Sequence, residues 1–339
     1  MGDLGRDAGC AGNDSVVVAS ASPYGASLFN SYLLAHTLRA VYETDLHKQL
    51  ESGISVADIS SHPAAAVLKV TMAILSDHGV VEFNNGAYRL NAKGHSLGRD
   101  HGFMTWLIGG YTEYLHGLKD VIAGVDSAHQ SDAANVARGS SQIDQQFLRA
   151  NARKLILEHA PNALADLGCG DGSRLFDLLQ SRPTLKGVGI ERSRAGARLA
   201  LENRARLGLE SRVQLIEGDC LADLRQLEFC AEVDTVTSFF LLHDLLHARD
   251  GRFDEVVTLI KRSFPRATRL MLADTTCDAF DSGAPPPIFS RGFQLVHAMM
   301  KVRLRTRAEY EALFRASPAR LVATHPLQVP NSFLFVLHI

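Results

Sequence analysis

Two hydrophobic periods divide the chain. Up to about residue 160, apolar positions recur at helical spacing; beyond it, short apolar runs alternate with helix-patterned stretches. From Pro23 to Gly53, Leu28, Tyr32, Leu33, Leu38, Val41, Tyr42 and Leu46 predict one or two amphipathic helices. A helix pair follows: SVADISSH starts on Ser, and PAAAVLKVTMAILSDHG opens at Pro63 and closes at Gly79. VVEFNNGAYRLNAKG alternates around Asn84-Asn85-Gly86, a hairpin signal. Two helices and a hairpin predict a winged helix. Residues 103–125 predict another apolar helix, or two broken at Gly109-Gly110. Residues 126–142 are small and polar and read as a connection. A helix from about Ile143 to His159 leads into the second half.

There the pattern becomes strand–helix alternation, with strands ALADL, KGVGI, VQLIE, VDTVTS and RLMLADT. Such βα units predict a parallel sheet covered on both faces. RLVATHPLQ and NSFLFVLHI add a terminal hairpin whose last strand runs antiparallel, making seven strands. The expected fold is α/β. Residues 1–20 are expected to be disordered, 21–145 to form a helical winged-helix unit for dimerisation and closure, and 146–339 to form a Rossmann-like catalytic unit.

Composition narrows the function classes. The chain is 46% hydrophobic and 21% charged, with formal net charge −2 and pI about 6.7. No overall field attracts nucleic acid or anionic lipid. The second winged-helix helix offers Pro63, Ala64, Ala65, Ala66, Val67 and Leu68, with Lys69 the one base-reading candidate, so nucleic acid is not the expected partner. No apolar run reaches the ~18–20 residues of a membrane span, and the N-terminus lacks an apolar signal core. Five scattered cysteines without CxxC suit a reduced cytoplasmic protein.

The chemistry begins at Asp166-Leu167-Gly168-Cys169-Gly170-Asp171-Gly172. Glycines between a strand and a helix let backbone approach a ligand. Glu191 ends the second strand, where a ribose diol needs an acceptor, and Asp219 follows the third, where an adenine amino group is met. This set resembles the nucleotide-binding motifs of class I S-adenosylmethionine-dependent methyltransferases over residues 163–339. The resemblance implies that Gly168, Gly170 and Gly172 line the methionine part of the cofactor. It also implies that Asp166 orients the loop, Glu191 takes the ribose hydroxyls and Asp219 sits near adenine. Ser238, at the end of the fourth strand, is a further cofactor-side candidate.

The reacting group is expected in Ser238-Phe239-Phe240-Leu241-Leu242-His243-Asp244-Leu245-Leu246-His247, because ligands lie at the carboxyl ends of such strands. Two chemistries fit. A large family of O-methyltransferases has the same layout and a His-Asp pair here, usually followed by Trp; this chain has Leu245 instead. There His243 is a general base for a hydroxyl. Alternatively, two His and a carboxylate hold a divalent metal, Fe(II) first, with Zn, Co, Ni or Mn as alternatives. His243 and Asp244 supply two ligands if the backbone leaves the strand, since neighbours on a strand face opposite ways. His297, in IFSRGFQLVHAMM, is the third. These three residues, with WLIGGY at Trp106–Tyr111, resemble phenylpyruvate C-methyltransferases and relatives acting on other 2-oxo acids, including 2-ketoarginine, from about residue 25 to the end. The resemblance implies metal-dependent C-methylation of a 2-oxo acid beside its carbonyl, toward β-methylated amino acids of peptide natural products (antibiotics among them), by a cytoplasmic homodimer.

The remaining candidates are assigned by chemistry. Trp106, Phe239, Phe240, Phe289 and Phe293 are aromatic candidates for the substrate pocket, with Trp106 singled out by the resemblance. Arg138 is a candidate partner for the substrate carboxylate. Glu113 and Asp144 are the acids a guanidinium-bearing substrate would need. His247, one turn beyond His243, and Tyr111 are candidates for the proton acceptor alongside His243 itself.

Overall fold

The computed structural model describes residues 23–125, 129–222, 224, 228–279 and 287–339; the expected disordered residues 1–20 lie outside these. The first part is helical: α1 (Pro23–Glu43), α2 (Leu46–Ser52), α3 (Val56–Ser61) and α4 (Ala65–Asp77). The strands β1 (Ile54–Ser55), β2 (Val81–Asn84) and β3 (Ala87–Leu90) form a small sheet in the order β1, β3, β2. Asn85 and Gly86 hold φ of 52° and 76°, the turn that Asn-Gly predicts. Leu38, Val41, Leu50, Met72 and Leu75 are the buried centre of this unit. Helix α5 (Ala92–Met104) runs through a π turn, Thr105–Gly109, into α6 (Thr112–Ile122).

The segment expected as a connection is instead partly helical. Asp132 accepts from the Asn135 amide at 3.0 Å and starts α7 (Ala133–Ile143). A second π turn, Asp144–Leu148, passes into α8 (Arg149–Glu158). The small side chains that made this stretch look like a linker serve close packing. A Cβ on Gly139 would lie 2.5 Å from the Trp106 backbone nitrogen, so only glycine lets α7 rest on the π turn.

The second part carries β4 (Ala163–Leu167), α9 (Ser173–Ser181), β5 (Lys186–Glu191), α10 (Arg194–Arg206), β6 (Val213–Glu217) and β7 (Thr235–Phe239). It continues with α11 (Leu242–His247), α12 (Phe253–Ser263), β8 (Arg269–Thr275), α13 (Ser290–Met299), α14 (Arg307–Arg315), β9 (Arg320–Pro326) and β10 (Ser332–His338). The seven strands lie in the order β6, β5, β4, β7, β8, β10, β9. The first five are parallel, and β10 runs antiparallel to both β8 and β9, as the terminal hairpin predicted. β4 is buried throughout, which suits a central strand covered on both faces. Two large apolar clusters cover the faces, around Val236, Ile260 and Phe264 on one and Phe176, Leu179 and Met271 on the other. A further cluster of Phe103, Trp106, Tyr111, Ile143, Leu148, Phe293 and Val296 packs the N-terminal helices onto α13. It sits above the carboxyl ends of β7 and β8.

Candidate active site

The strand order lays the cofactor candidates along one edge. β6, β5, β4 and β7 are neighbours, and their carboxyl ends present Asp219, Glu191, the glycine loop and Phe239-Phe240 in turn. These groups line one cleft, together with Ser140, Ser141 and Asp144 from the α7 side. Gly168, Gly170 and Gly172 hold φ of 69°, 58° and 75°. At Gly172 a Cβ would also meet the Phe176 ring at 2.4 Å, so a side chain is excluded twice over. Glu191 braces the loop: its Oε2 accepts the Gly170 amide at 2.9 Å and its Oε1 the Ser193 amide at 2.7 Å. Asp219 accepts the Leu221 amide at 2.9 Å.

Two other cofactor-side candidates lie deeper. Asp166 is 1% exposed within β4, does not line the cleft, and accepts from Thr237 Oγ1 at 2.7 Å. Burial raises its carboxyl above the usual range, against the pull of Arg174. Ser238 is buried in β7, and its hydroxyl has no hydrogen-bond partner among the described residues.

The chain leaves β7 through a backbone turn. Phe240 holds φ of 54°, a conformation costly for a bulky residue, while its amide donates to the Ala273 carbonyl at 2.7 Å. That turn starts α11, so His243 and Asp244 are helix neighbours rather than strand neighbours. Their side chains share one side: His243 Nε2 is 3.6 Å from Asp244 Oδ2. His297 arrives from the last turn of α13, and its Nε2 stands 3.1 Å from His243 Nε2. Both imidazoles are buried, and Phe293 packs on both, 4.0 Å from the His297 ring centre and 5.5 Å from that of His243.

The far nitrogens are committed. His243 Nδ1 donates to Asp274 Oδ1 at 2.9 Å, and His297 Nδ1 donates to the Phe293 carbonyl at 2.7 Å. A carboxylate and a carbonyl only accept here, so each ring carries a proton on Nδ1 and presents its Nε2 to the other. Asp274 is fully buried and also accepts the His243 amide at 2.8 Å, the Thr275 amide at 2.8 Å and the Tyr310 hydroxyl at 3.1 Å. Burial opposes charge on His243, but Asp274 outweighs it and raises its pKa above the ordinary value. Burial and the neighbouring His243 push His297 down to about 3, so it stays neutral.

Other predicted residues fall around this pair or away from it. Trp106 is buried against Tyr111, Phe289 and Phe293, with ring centres 4.7, 4.8 and 5.7 Å away. Burial and the nearby Asp244 push the Tyr111 phenol far up. His247 is exposed and does not line the cleft; the partner of His243 is Asp274, on β8. Arg138 is exposed on α7 outside the cleft lining, where Arg174 and Arg192 are the arginines among the described residues. Asp144 is occupied by two arginines, Arg149 and Arg174, and Glu113 lies 3.4 Å from the Gln130 amide. Asp274, Tyr310, Arg174 and Asp144 in this arrangement were not read from sequence. Asp274 carried a signal: it is an acid near the end of a parallel strand, as Glu191 is.

Known proteins give the same answer. The family model described as a methyltransferase domain matches residues 160–301. A methyltransferase of Aspergillus campestris, ungE′, is 30% identical over 212 residues, 59% of this chain, and the chain spans 60% of that relative's length. An indolepyruvate C-methyltransferase of Streptomyces griseus is 29% identical over 264 residues, 76% of each chain. A 2-ketoarginine methyltransferase of Streptomyces arginensis is 25% identical over 305 residues, 86% of each. The solved structure of an O-methyltransferase family protein from Burkholderia thailandensis superposes with a TM-score of 0.63 at 16% identity, covering 94% of this chain and 98% of that one, a likeness of fold. Residues 160–301 therefore form a methyltransferase domain, and most of the chain is similar to proteins named as 2-oxo acid methyltransferases.

Proposed function

We propose that the protein moves the methyl group of S-adenosylmethionine to the carbon beside the carbonyl of a 2-oxo acid, with a divalent cation held by His243, Asp244 and His297. One observation carries the reading: two imidazoles, each with Nδ1 held by an acceptor behind it, turn Nε2 toward each other at 3.1 Å with Asp244 alongside. Among the described residues no three such groups already enclose a single point, so the argument rests on the donor set. Two nitrogens each ~2.0–2.1 Å from one ion, at angles between a right angle and the tetrahedral angle, would stand ~2.8–3.4 Å apart. The Nδ1 partners, a carboxylate and a carbonyl, are those that orient metal-bound histidines. Held there, an ion such as Fe(II) lends positive charge to the carboxylate and carbonyl oxygens of a 2-oxo acid and so acidifies the carbon beside the carbonyl.

The chain's own residues do the rest. The substrate reacts as its enolate, the proton from the carbon having passed to solvent; that carbon attacks the methyl, a C–C bond forms, the S–CH3 bond breaks, and the sulfonium becomes a thioether. Phe240 stands between the cleft and the aromatic cluster, where the methyl group must cross. Trp106, Phe289 and Phe293 form an apolar wall beside the imidazoles. Since both oxygens of Asp144 are taken by arginines, that wall favours an aromatic or branched apolar 2-oxo acid over a guanidinium-bearing one. In this proposal the product serves β-methylated amino acids of peptide natural products and forms in the cytoplasm. Helices α3 and α4 and the β2–β3 hairpin form a winged helix, and α1 leaves Tyr24, Leu28, Phe29 and Tyr32 exposed for a second copy of the chain.

A second reading, O-methylation with His243 as base, draws on the basicity Asp274 gives that ring. The test is metal analysis of protein never exposed to chelator, with methyl transfer assayed on an arylpyruvate panel. One equivalent of metal, lost in His297→Ala together with activity, is expected. Full activity in excess chelator, with a dead His243→Ala, would hand the site to O-methylation.

A further inference from the structure

One wall of the cleft has no part in the chemistry above. Asp144, 2% exposed at the start of the second π turn, accepts from Arg174 Nε at 2.8 Å on one oxygen and from Arg149 Nε at 3.0 Å on the other. Arg149 also donates to Ser173 Oγ at 2.8 Å. The Arg174 guanidinium carbon lies 3.7 Å from the centre of the Phe239 ring. Its plane is thus held on one face by an aromatic ring and on one edge by a carboxylate. Arg174 lines the cleft, and among the described residues its terminal nitrogens have no hydrogen-bond partner. Arg149 and Arg174 share one carboxylate, so the Arg174 guanidinium keeps its charge and its terminal N–H donors for the cleft. Nearby, Asp171 is already engaged, by the Ser173 amide at 3.0 Å and Ser141 Oγ at 2.9 Å.

The strand order says which part of a ligand meets this charge. With the base at Asp219 and the ribose at Glu191, the 5′ substituent runs past the glycine loop toward β7 and Arg174. The other cation among the described lining residues, Arg192, sits beside Glu191 at the ribose position. We propose that Arg174 binds the carboxylate of the cofactor's methionyl part and that Asp144 positions it. This rests on the cofactor assignment above. Because Asp144 lies in the segment joining the N-terminal helices to the sheet, that recognition also ties the two parts together around the bound cofactor.

The test is calorimetric titration of wild type, Arg174→Gln, Arg174→Lys and Asp144→Asn with two probes. S-Adenosylhomocysteine carries the amino-acid carboxylate; 5′-methylthioadenosine lacks it. Loss of a charge-assisted pair should weaken S-adenosylhomocysteine binding to Arg174→Gln by about 10- to 100-fold, with 5′-methylthioadenosine changed by no more than about twofold. Arg174→Lys should recover part of the loss, and Asp144→Asn should weaken only the homocysteine probe. Equal loss of both probes in Arg174→Gln overturns the proposal, as does unchanged S-adenosylhomocysteine binding with a raised KM for the 2-oxo acid, which would move Arg174 to the other substrate. If wild type binds neither probe, the cofactor assignment itself falls.

Discussion

The cofactor wall and the reacting wall meet at Phe239 and Phe240, yet they are assembled differently. On the cofactor side, the glycine loop, Glu191 and Asp219 come from the ends of three adjacent parallel strands, each group close in sequence to its strand. On the reacting side, His243 meets a histidine 54 residues away and an aspartate 31 residues away, and that aspartate meets a tyrosine 36 residues further on. The roof over them comes from the N-terminal helices through Phe103 and Trp106. The first wall needs only correct local turns. The second needs α11, α13, α14 and β8 to pack in register at once. Damage to one wall should therefore leave the other's binding function readable.

The sharpest separation is His243→Ala. Turnover should fall by about 10²- to 10⁴-fold while S-adenosylhomocysteine affinity in calorimetry holds. A parallel loss of that affinity would break the distinction between the walls. Next comes Asp274→Asn, which leaves the shape but removes the charge that holds Nδ1–H. Activity or metal affinity should drop about 10- to 100-fold, chiefly in kcat rather than in cofactor KM. Gly139→Val probes the seam between the parts. With a Cβ forced to 2.5 Å from Trp106 N, stability should fall by about 1–3 kcal/mol, read as a lower Tm.

The smallest effect has the opposite sign. Burial raises the Asp166 carboxyl above its ordinary value of 3.8. As pH rises past 3.8 the unfolded chain releases this proton first, so wild type loses stability until the native carboxyl ionises as well. Asp166→Asn lacks that loss. Its Tm relative to wild type should climb between acid and neutral pH, and a flat difference across pH 4–8 would remove the raised carboxyl from the account.

Legibility followed the same division. Gly168, Gly170 and Gly172 could be read because a positive φ is a local demand that one residue type meets. The Asn85-Gly86 hairpin was legible for the same reason. Helix α7 was misread as a connection because its Ala, Ser and Gly residues carry little apolar signal; their meaning lies in how near they let Trp106 approach. Arg138 and Arg174 are both arginines beside small residues in the sequence, and only packing turns the second into the cleft and leaves the first in solvent. His247 lies one turn beyond His243 in the sequence and points to solvent, while the bond from His243 goes to Asp274 on the neighbouring strand β8.

By itself, then, the amino-acid order determined the two periodicities, the parallel sheet implied by βα units, the glycine turn and the acids at strand ends, since each depends on backbone preference or burial pattern within a few residues. Only the tertiary structure decided that two imidazoles from α11 and α13 stand 3.1 Å apart, that Asp274 and Tyr310 lie behind one of them, and that Asp144 holds Arg174 against Phe239. A burial pattern tells which face of an element is covered; which side chain of another element covers it is settled when all the faces pack together.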